Sequence, residues 1–341
     1  MTQSLRVGLI GAGRIGRLHA QSLASRVAGA ELAVICDASP EQARTVAEVV
    51  RADNWTSDTA AVLGDPRISA VVIASPTPTH VPLIIAAARS GKAIFCEKPI
   101  SLDLDTTDEA IAAVRAAGAY LQIGFQRRYD AAYQRAKVLV ESGALGRVEF
   151  VRDAMRDPAP PSAEYVAVSG GLYLDMTIHN FDAVRWLVGD EVVQVYALGA
   201  TLIDPDIARL GDIDTSVVTL RFANGCLASI ENSRRAAFGY DVRTEIHGSL
   251  GAAFVGAERQ TPILELSREG SKADHVQGFL ERFGDAYVAE LRDFVSRVAT
   301  GRQPTVGGAD ARAALALACA AEASRRQNRP VELAAYAPRR G

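Results

Sequence analysis

Apolar positions recur along this chain at two different periods, and the change of period divides it. Over the first 125 residues, short runs that are apolar on both faces alternate with segments of helical spacing. The runs are LRVGLIGAG, AELAVICD, ISAVVIASP, KAIFCEKP and AYLQIGF; the helical segments are RIGRLHAQSLASRV, PEQARTVAEVV, HVPLIIAAARSG and LDTTDEAIAAVRAAG. Strands apolar on both faces belong in a parallel sheet covered by helices. Their alternation with helices predicts right-handed βαβ units and a doubly wound sheet.

From residue 126 the rhythm changes. A helix (DAAYQRAKVLVESG) and a strand (RVEFVRDAM) lead to a Pro-rich loop, RDPAPPSAEY, and then to a helix holding LDMTIHNFD. Longer alternating runs follow: EVVQVYALGATLI, DTSVVTLRFANGCLASIENSRRA and YDVRTEIHG. Asn224-Gly225 between two β-type runs is a hairpin signal. Strands in succession predict an open antiparallel sheet, helices on one face and the other face free. Two helical segments, FLERFGDAYVAELRDFVSRVATG and ADARAALALACAAEASRRQ, close the chain. The expectation is an α/β domain over 1–125 and an α+β domain over 126–341.

A length of 341 residues agrees with two domains, and 48% hydrophobic with 23% charged residues is the profile of a soluble globular protein. Net charge is −3 and no Lys/Arg cluster stands out, which argues against a nucleic-acid partner. Cys36, Cys96, Cys226 and Cys319 lie far apart without ligand spacing, as reduced cytosolic thiols do. The first residues lack a charged-then-apolar leader pattern, and no apolar run approaches the roughly 20 residues of a membrane helix. A cytoplasmic protein without a membrane partner is expected.

Gly11-Ala12-Gly13-Arg14-Ile15-Gly16 fits G-x-G-x-x-G directly after the first strand and at the start of a helix. Gly11 permits the tight turn, Gly13 lets backbone approach a pyrophosphate, and Gly16 lets helix and strand close up. The helix N-terminus offers N–H groups to the phosphates. Asp37, 21 residues after Gly16 and at the end of the second strand, is placed to accept both adenosine ribose hydroxyls and to repel a 2′-phosphate. NAD rather than NADP is the implied cofactor.

Three further stretches carry candidate chemistry. PTPTH, with Thr77 and His80, follows a strand at the carboxyl edge of the sheet; it reads equally as a cofactor contact or as a turn and helix cap. CEKPI places Glu97 and Lys98 at the end of an apolar strand, where a surface ion pair competes with a lysine at the nicotinamide end of the cofactor; Pro99 sets a turn. In LDMTIHNFD, helical spacing puts Asp175, His179 and Asp182 at i, i+4 and i+7 on one face. That constellation reads as a satisfied buried histidine, as two ligands of a metal helix, or as an acid/base pair. With NAD inferred, the third is strongest: oxidising an alcohol needs a base for its proton, and an imidazole titrates near working pH.

These stretches, together with GFQRRYD, GDIDTSVV, NSRRAAFGYDVR and EIHGSLG, resemble the Gfo/Idh/MocA oxidoreductases, and within them the inositol 2-dehydrogenases, in order over nearly the whole chain. The resemblance implies a Rossmann domain followed by an α+β domain with an open antiparallel sheet, and assembly through the free face of that sheet, commonly as a homotetramer. It implies NAD-dependent oxidation of myo-inositol to the 2-ketone, with scyllo-inositol or a pyranose sugar as alternatives. By position, Lys98 corresponds to the lysine that binds the reacting hydroxyl, Asp175 to the carboxylate that orients the base, and His179 to the base. Arg128, Asp157, Asp182 and Tyr240 fall in segments that line the cyclitol pocket, and Tyr287 is a further candidate. Arg14, Ile15, Thr77, His80 and Glu97 join Gly11, Gly13, Gly16, Asp37 and Lys98 at the cofactor. No metal is needed, because Lys98 carries the positive charge that stabilises an alkoxide. The chain has Asn180 where the pattern often has Asp, and Phe238 where it often has Tyr. A NAD-binding regulatory protein and a metal-dependent hydrolase remain the readings from other classes.

Overall fold

The structure, a computed structural model, describes residues 4–256 and 258–338. It divides into two compact units, the first made of Met1–Tyr129 with Asp285–Ala313 and the second of Asp130–Gly284 with Ala314–Gly341.

In the first unit the both-faces-apolar runs form β1 (Leu5–Ile10), β2 (Ala30–Cys36), β3 (Asn54–Thr56), β4 (Ala70–Ile73), β5 (Ala93–Glu97) and β6 (Leu121–Gly124). All pair in parallel, in the order β3-β2-β1-β4-β5-β6. This is the expected doubly wound sheet. Between the strands run α1 (Arg14–Ser25), α2 (Pro40–Val50), α3 (Thr59–Gly64), α4 (His80–Arg89) and α5 (Leu104–Ala117). Val7, Leu9, Ile35, Val72 and Phe95 are wholly buried in its core. Each such side chain contributes about 1.5–3 kcal/mol by leaving water. The strand order reverses between β1 and β4, and at such a point the carboxyl ends of the strands form a binding crevice.

The second unit opens with α6 (Ala131–Glu141) and β7 (Val148–Arg156), followed by α7 (Ala163–Ser169) and α8 (Ile178–Val188). Then come β8 (Val192–Ala200), α9 (Pro205–Arg209), β9 (Thr215–Phe222), β10 (Leu227–Ser233), β11 (Asp241–Gly248) and β12 (Ala252–Val255). A small hairpin, β13 (Glu265–Ser267) with β14 (Gly270–Lys272), precedes along the chain α10 (Phe279–Thr300), most of which belongs to the first unit, α11 (Gly308–Gln327), which belongs to the second from Ala314, and β15 (Val331–Glu332). The sheet order is β12-β11-β7-β10-β9-β8-β15.

That sheet is mixed, which corrects the antiparallel expectation at one pairing. β7 and β10 run parallel, Leu227 opposite Phe150, while the other neighbours are antiparallel. The reason is geometric: β10 and β11 run in opposite directions, and β7 is inserted between them, so it must be parallel to one of the two. The Asn224-Gly225 turn does close a hairpin, with Gly225 at φ 88° and the Phe222 N–H donating to Cys226 O at 2.9 Å. β9 alternates strictly between buried and exposed positions, so this sheet has one covered and one open face.

The helix expected through LDMTIHNFD is regular only from Ile178. Tyr173–Thr177 form a π-helical turn, so Asp175 leads into α8 through a widened turn and the simple i, i+4, i+7 spacing does not hold across it. α10 also has a role that strand rhythm does not announce. Its residues Val288, Leu291, Phe294 and Val295 join the core of the first unit, with the Phe294 ring 5.8 Å from that of Phe95. None of the four cysteines is in a disulfide, and among the described residues no helix is long and apolar enough to cross a membrane.

Candidate functional site

The glycine turn shows three different physical demands. Gly11 has φ +102°, and a Cβ there would lie 2.4 Å from Ser75 N. A Cβ on Gly16 would lie 1.9 Å from Gly11 O, so helix and turn touch backbone to backbone. Gly13, by contrast, meets nothing within 4 Å. It is exposed, stands at the N-cap of α1, and supplies no side-chain cap. α2, α3 and α5 are capped by Ser39, Asp58 and Asp103. Open space over uncapped N–H groups is what a pyrophosphate requires. Arg14 is exposed and Ile15 half-buried beside it.

Asp37 is tied to that turn: Oδ2 accepts from the Ala12 N–H at 2.7 Å and Oδ1 from the Ser39 N–H at 2.8 Å. Both bonds point the half-buried carboxylate beside the turn, where an adenosine ribose is met in such sheets. The residues therefore fit the dinucleotide. Asp37→Asn keeps an acceptor for Ala12 but removes the charge. It is expected to narrow the preference for NAD over NADP by about tenfold or more, since a charged hydrogen bond contributes about 1.5–3 kcal/mol. Ratios of kcat/KM for the two cofactors check this, and an unchanged ratio would remove Asp37 from the account.

Further along the carboxyl edge, Thr77 lies half-buried in a short turn, Thr77–Thr79, that leads into α4. His80 is buried, with Nδ1 2.7 Å from Pro99 O and Nε2 2.8 Å from Ser75 O. Burial lowers its pKa, and the two carbonyls oppose that shift. Its ring joins the turn after β4 to the turn after Lys98. Lys98 is half-buried at the end of β5, followed by a cis bond to Pro99. The Glu97 carboxylate turns inward: Oε1 lies 2.7 Å from His19 Nε2, and Oε2 accepts from the Lys98 N–H at 3.3 Å.

The second unit holds Asp175, His179, Asp157, Asp182 and Tyr240. Asp175 Oδ1 accepts from the Tyr165 hydroxyl at 2.8 Å, and Oδ2 from Arg234 Nη1 at 3.3 Å. Arg234 is 1% exposed, so the carboxylate is held by a buried guanidinium. Neither Tyr165 nor Arg234 is a sequence-derived candidate, although Arg234 stands in NSRRAAFGYDVR. His179 is 9% and Asp182 2% exposed, both on α8. Asp157 follows β7 and its N–H donates to Ser233 O at 3.0 Å; Tyr240 is buried with its ring 6.4 Å from that of Phe283.

Asn180 has a clear local reason. Its Nδ2 donates to Asp153 Oδ2 at 2.7 Å while its Oδ1 accepts from Asn232 at 3.1 Å, both inside the unit. Asp153 also accepts from Thr244 at 2.6 Å. An aspartate at 180 would set two buried carboxylates against each other. Arg128 lies in the first unit, 3% exposed, with Nη2 donating to Asp310 at 3.0 Å. Tyr287, on α10, places its ring 6.0 Å from that of His19.

Comparison with known proteins bears on both units. The family described as oxidoreductase family, NAD-binding Rossmann fold, matches residues 5–125, and that described as GFO/IDH/MocA C-terminal domain matches residues 133–254. The chain is 41% identical to the myo-inositol 2-dehydrogenase of Thermotoga maritima, over 96% of this chain and 98% of that one. It is 37% identical to the scyllo-inositol 2-dehydrogenase (NAD(+)) of Bacillus subtilis, over 98% and 97%. The crystal structure of scyllo-inositol dehydrogenase from Lactobacillus casei with bound NAD(H) and scyllo-inositol superposes with a TM-score of 0.92 at 29% identity, covering 97% of this chain and all of that one.

Proposed function

We propose, on the premise that this chain belongs to the GFO/IDH/MocA oxidoreductases, that it is an NAD-dependent dehydrogenase converting a ring CH–OH of a cyclitol to a ketone. The observation that carries the reading is similarity over the whole length. The substrate-binding half as well as the cofactor half matches inositol dehydrogenases. Myo-inositol is the substrate favoured, oxidised at the carbon that gives the 2-ketone.

Oxidising a secondary alcohol takes a proton from oxygen and a hydride from carbon, and NAD, when bound by the Gly11–Gly16 turn and Asp37, supplies the acceptor for the hydride. His179 takes the hydroxyl proton on a ring nitrogen. Asp175, fixed by Tyr165 and Arg234, binds the hydroxyl and orients the imidazole. The Lys98 ammonium stabilises the negative charge that grows on the oxygen. Asp157, Asp182, Tyr240 and Arg128 read the remaining hydroxyls. Thr77, Arg14 and Ile15 contact the cofactor, while His80 and Glu97 support the turns that do.

The test is purified protein with NAD and a panel of myo-inositol, scyllo-inositol and a pyranose, read by absorbance of the reduced cofactor. Cyclitols are expected to lead the pyranose in kcat/KM by about tenfold or more, as pocket hydrogen bonds discriminate. Activity confined to the pyranose would overturn the substrate class. Scyllo-inositol is the second reading, favoured by the Bacillus subtilis and Lactobacillus casei relatives.

The protein is further proposed to act in the cytoplasm as a homo-oligomer, with the open sheet face as the assembly surface and a homotetramer as its state. In support, Leu198, Val217, Leu227 and Phe254 on its strands are about half exposed or more. Light scattering is expected to give a mass near four times 36.2 kDa, and a mass of one chain would remove the assembly.

A further inference from the structure

Behind Lys98, within the same unit, lies a polar group in which only Glu97 has so far been given a role, as support for a cofactor-contacting turn. His19 on α1, Glu97 on β5 and Glu290 on α10 each bring one ligand-type atom within 4.8 Å of the others. His19 and Glu290 are 0% exposed. Glu97 is gripped on three sides: by His19 Nε2, by the N–H of Lys98, and by Gly124, where a Cβ would stand 3.0 Å from Oε2. The His19 ring is itself wedged edge-on against Phe95 and Tyr287, at 5.4 and 6.0 Å, and its Nδ1 is buried without a partner. That arrangement suits a proton on Nε2, donated to Glu97.

Glu290 is the odd member. Both carboxyl oxygens are buried without a hydrogen-bond partner, and the titratable groups near it include His19 from α1, Glu97 from β5 and Tyr129 beyond β6. A second bare carboxylate beside Glu97, away from water, is the arrangement electrostatics disfavours most. Burial first, and then the Glu97 charge, raise the Glu290 pKa well above the ordinary range. A cation shared by the three groups would also relieve the repulsion. The 2.7 Å from His19 Nε2 to Glu97 Oε1, however, is the length of a bond with a proton in it.

We propose that His19, Glu97 and a protonated Glu290 form a positioning triad for Lys98, in which Glu97 fixes the strand end that presents the ammonium. The proposal rests on the role given to Lys98 above. Glu290 touches neither substrate nor cofactor in this account and acts through Glu97.

Glu290→Gln reproduces the neutral acid, Glu290→Ala removes it, and Glu97→Gln removes the charge. Glu290→Gln is expected to keep kcat within about threefold. The other two are expected to lose tenfold or more in kcat, as misplacement of a reacting group costs up to about a hundredfold; KM for NAD should stay little changed in Glu290→Ala, whereas Glu97→Gln also raises it through the turn that Glu97 supports. Two readouts are independent of Lys98. Infrared spectra at neutral pH should carry the carbonyl band of a protonated carboxylic acid, absent in Glu290→Gln. The folded wild type holds a proton that the unfolded chain releases, so its stability falls as pH rises above the ordinary glutamate range, and the Tm advantage of Glu290→Gln should widen with pH. A missing band, or Glu290→Gln as slow as Glu290→Ala, would overturn the protonated acid. Unchanged kcat in Glu290→Ala and Glu97→Gln would overturn positioning, while Lys98→Ala separately reports whether the lysine matters at all.

Discussion

Lys98→Ala and His179→Ala are each expected to lower kcat on a cyclitol by about 10²–10⁴-fold, with the dissociation constant of NAD within a few-fold of wild type. The magnitude follows from what each removal leaves. Without Lys98, charge developing on the hydroxyl oxygen has no cation to meet it, and an electrostatic donor of this kind is among the largest single contributions to a rate. In the proposed mechanism, loss of His179 leaves the proton without a base of the kind that titrates near working pH, and water must serve. Lys98 is half-buried, whereas His179 is 9% exposed, so that removing its ring opens a buried void on α8. Lys98→Ala should therefore melt close to wild type, and His179→Ala a few degrees lower but still as a folded protein. Arg234→Ala belongs to the same account, since it removes the guanidinium that holds Asp175. Steady-state kinetics beside a thermal melt checks all three. Full activity in His179→Ala would sink the base assignment.

Gly16→Ala and Gly13→Ala should separate folding from cofactor binding. At Gly16 the added carbon would overlap Gly11 O at 1.9 Å and approach Gly11 C at 2.8 Å. Those atoms are backbone, so α1 must move away from the turn. Overpacking of this kind costs about 1–3 kcal/mol or more, enough to lower Tm by several degrees. Displacing the helix end also moves the N–H groups offered to the pyrophosphate, and NAD affinity is expected to fall by about a hundredfold. At Gly13 the carbon meets no protein atom within 4 Å, so Tm should stay within about a degree or two. The same carbon would occupy the space a pyrophosphate needs, and NAD should bind about tenfold or more weakly. Melting curves and isothermal titration with NAD distinguish the two. Equal effects of both substitutions on Tm would mean that Gly13 serves packing rather than the cofactor.

The parts of this architecture that depend on local spacing were legible before any coordinates. The parallel sheet followed from runs apolar on both faces, and the glycine turn from its position between strand and helix. What escaped depends on partners distant in sequence. The parallel β7–β10 pairing is set by which strand is inserted between which, a matter of topology and not of period. The π-helical turn at Tyr173–Thr177 leaves no mark in a pattern of apolar residues, and the regular helix that this pattern predicts for Asp175 begins only at Ile178. Arg234 reaches Asp175 from 59 positions away, and Glu290 approaches Glu97 from another part of the chain altogether. His19 stood in view inside the dinucleotide helix, but an imidazole on an otherwise ordinary helix carries no signal until Glu97 is found against it.

In the proposed mechanism Lys98 and His179, from separate stretches of the chain, serve the same oxidation. A double-mutant cycle in kcat measures that directly. If the two groups serve one transition state, Lys98→Ala/His179→Ala should be within about tenfold of the slower single variant, because residues acting as a unit are strongly non-additive. Losses that multiply, leaving the double variant slower by the product of the two, would show independent contributions and contradict the account.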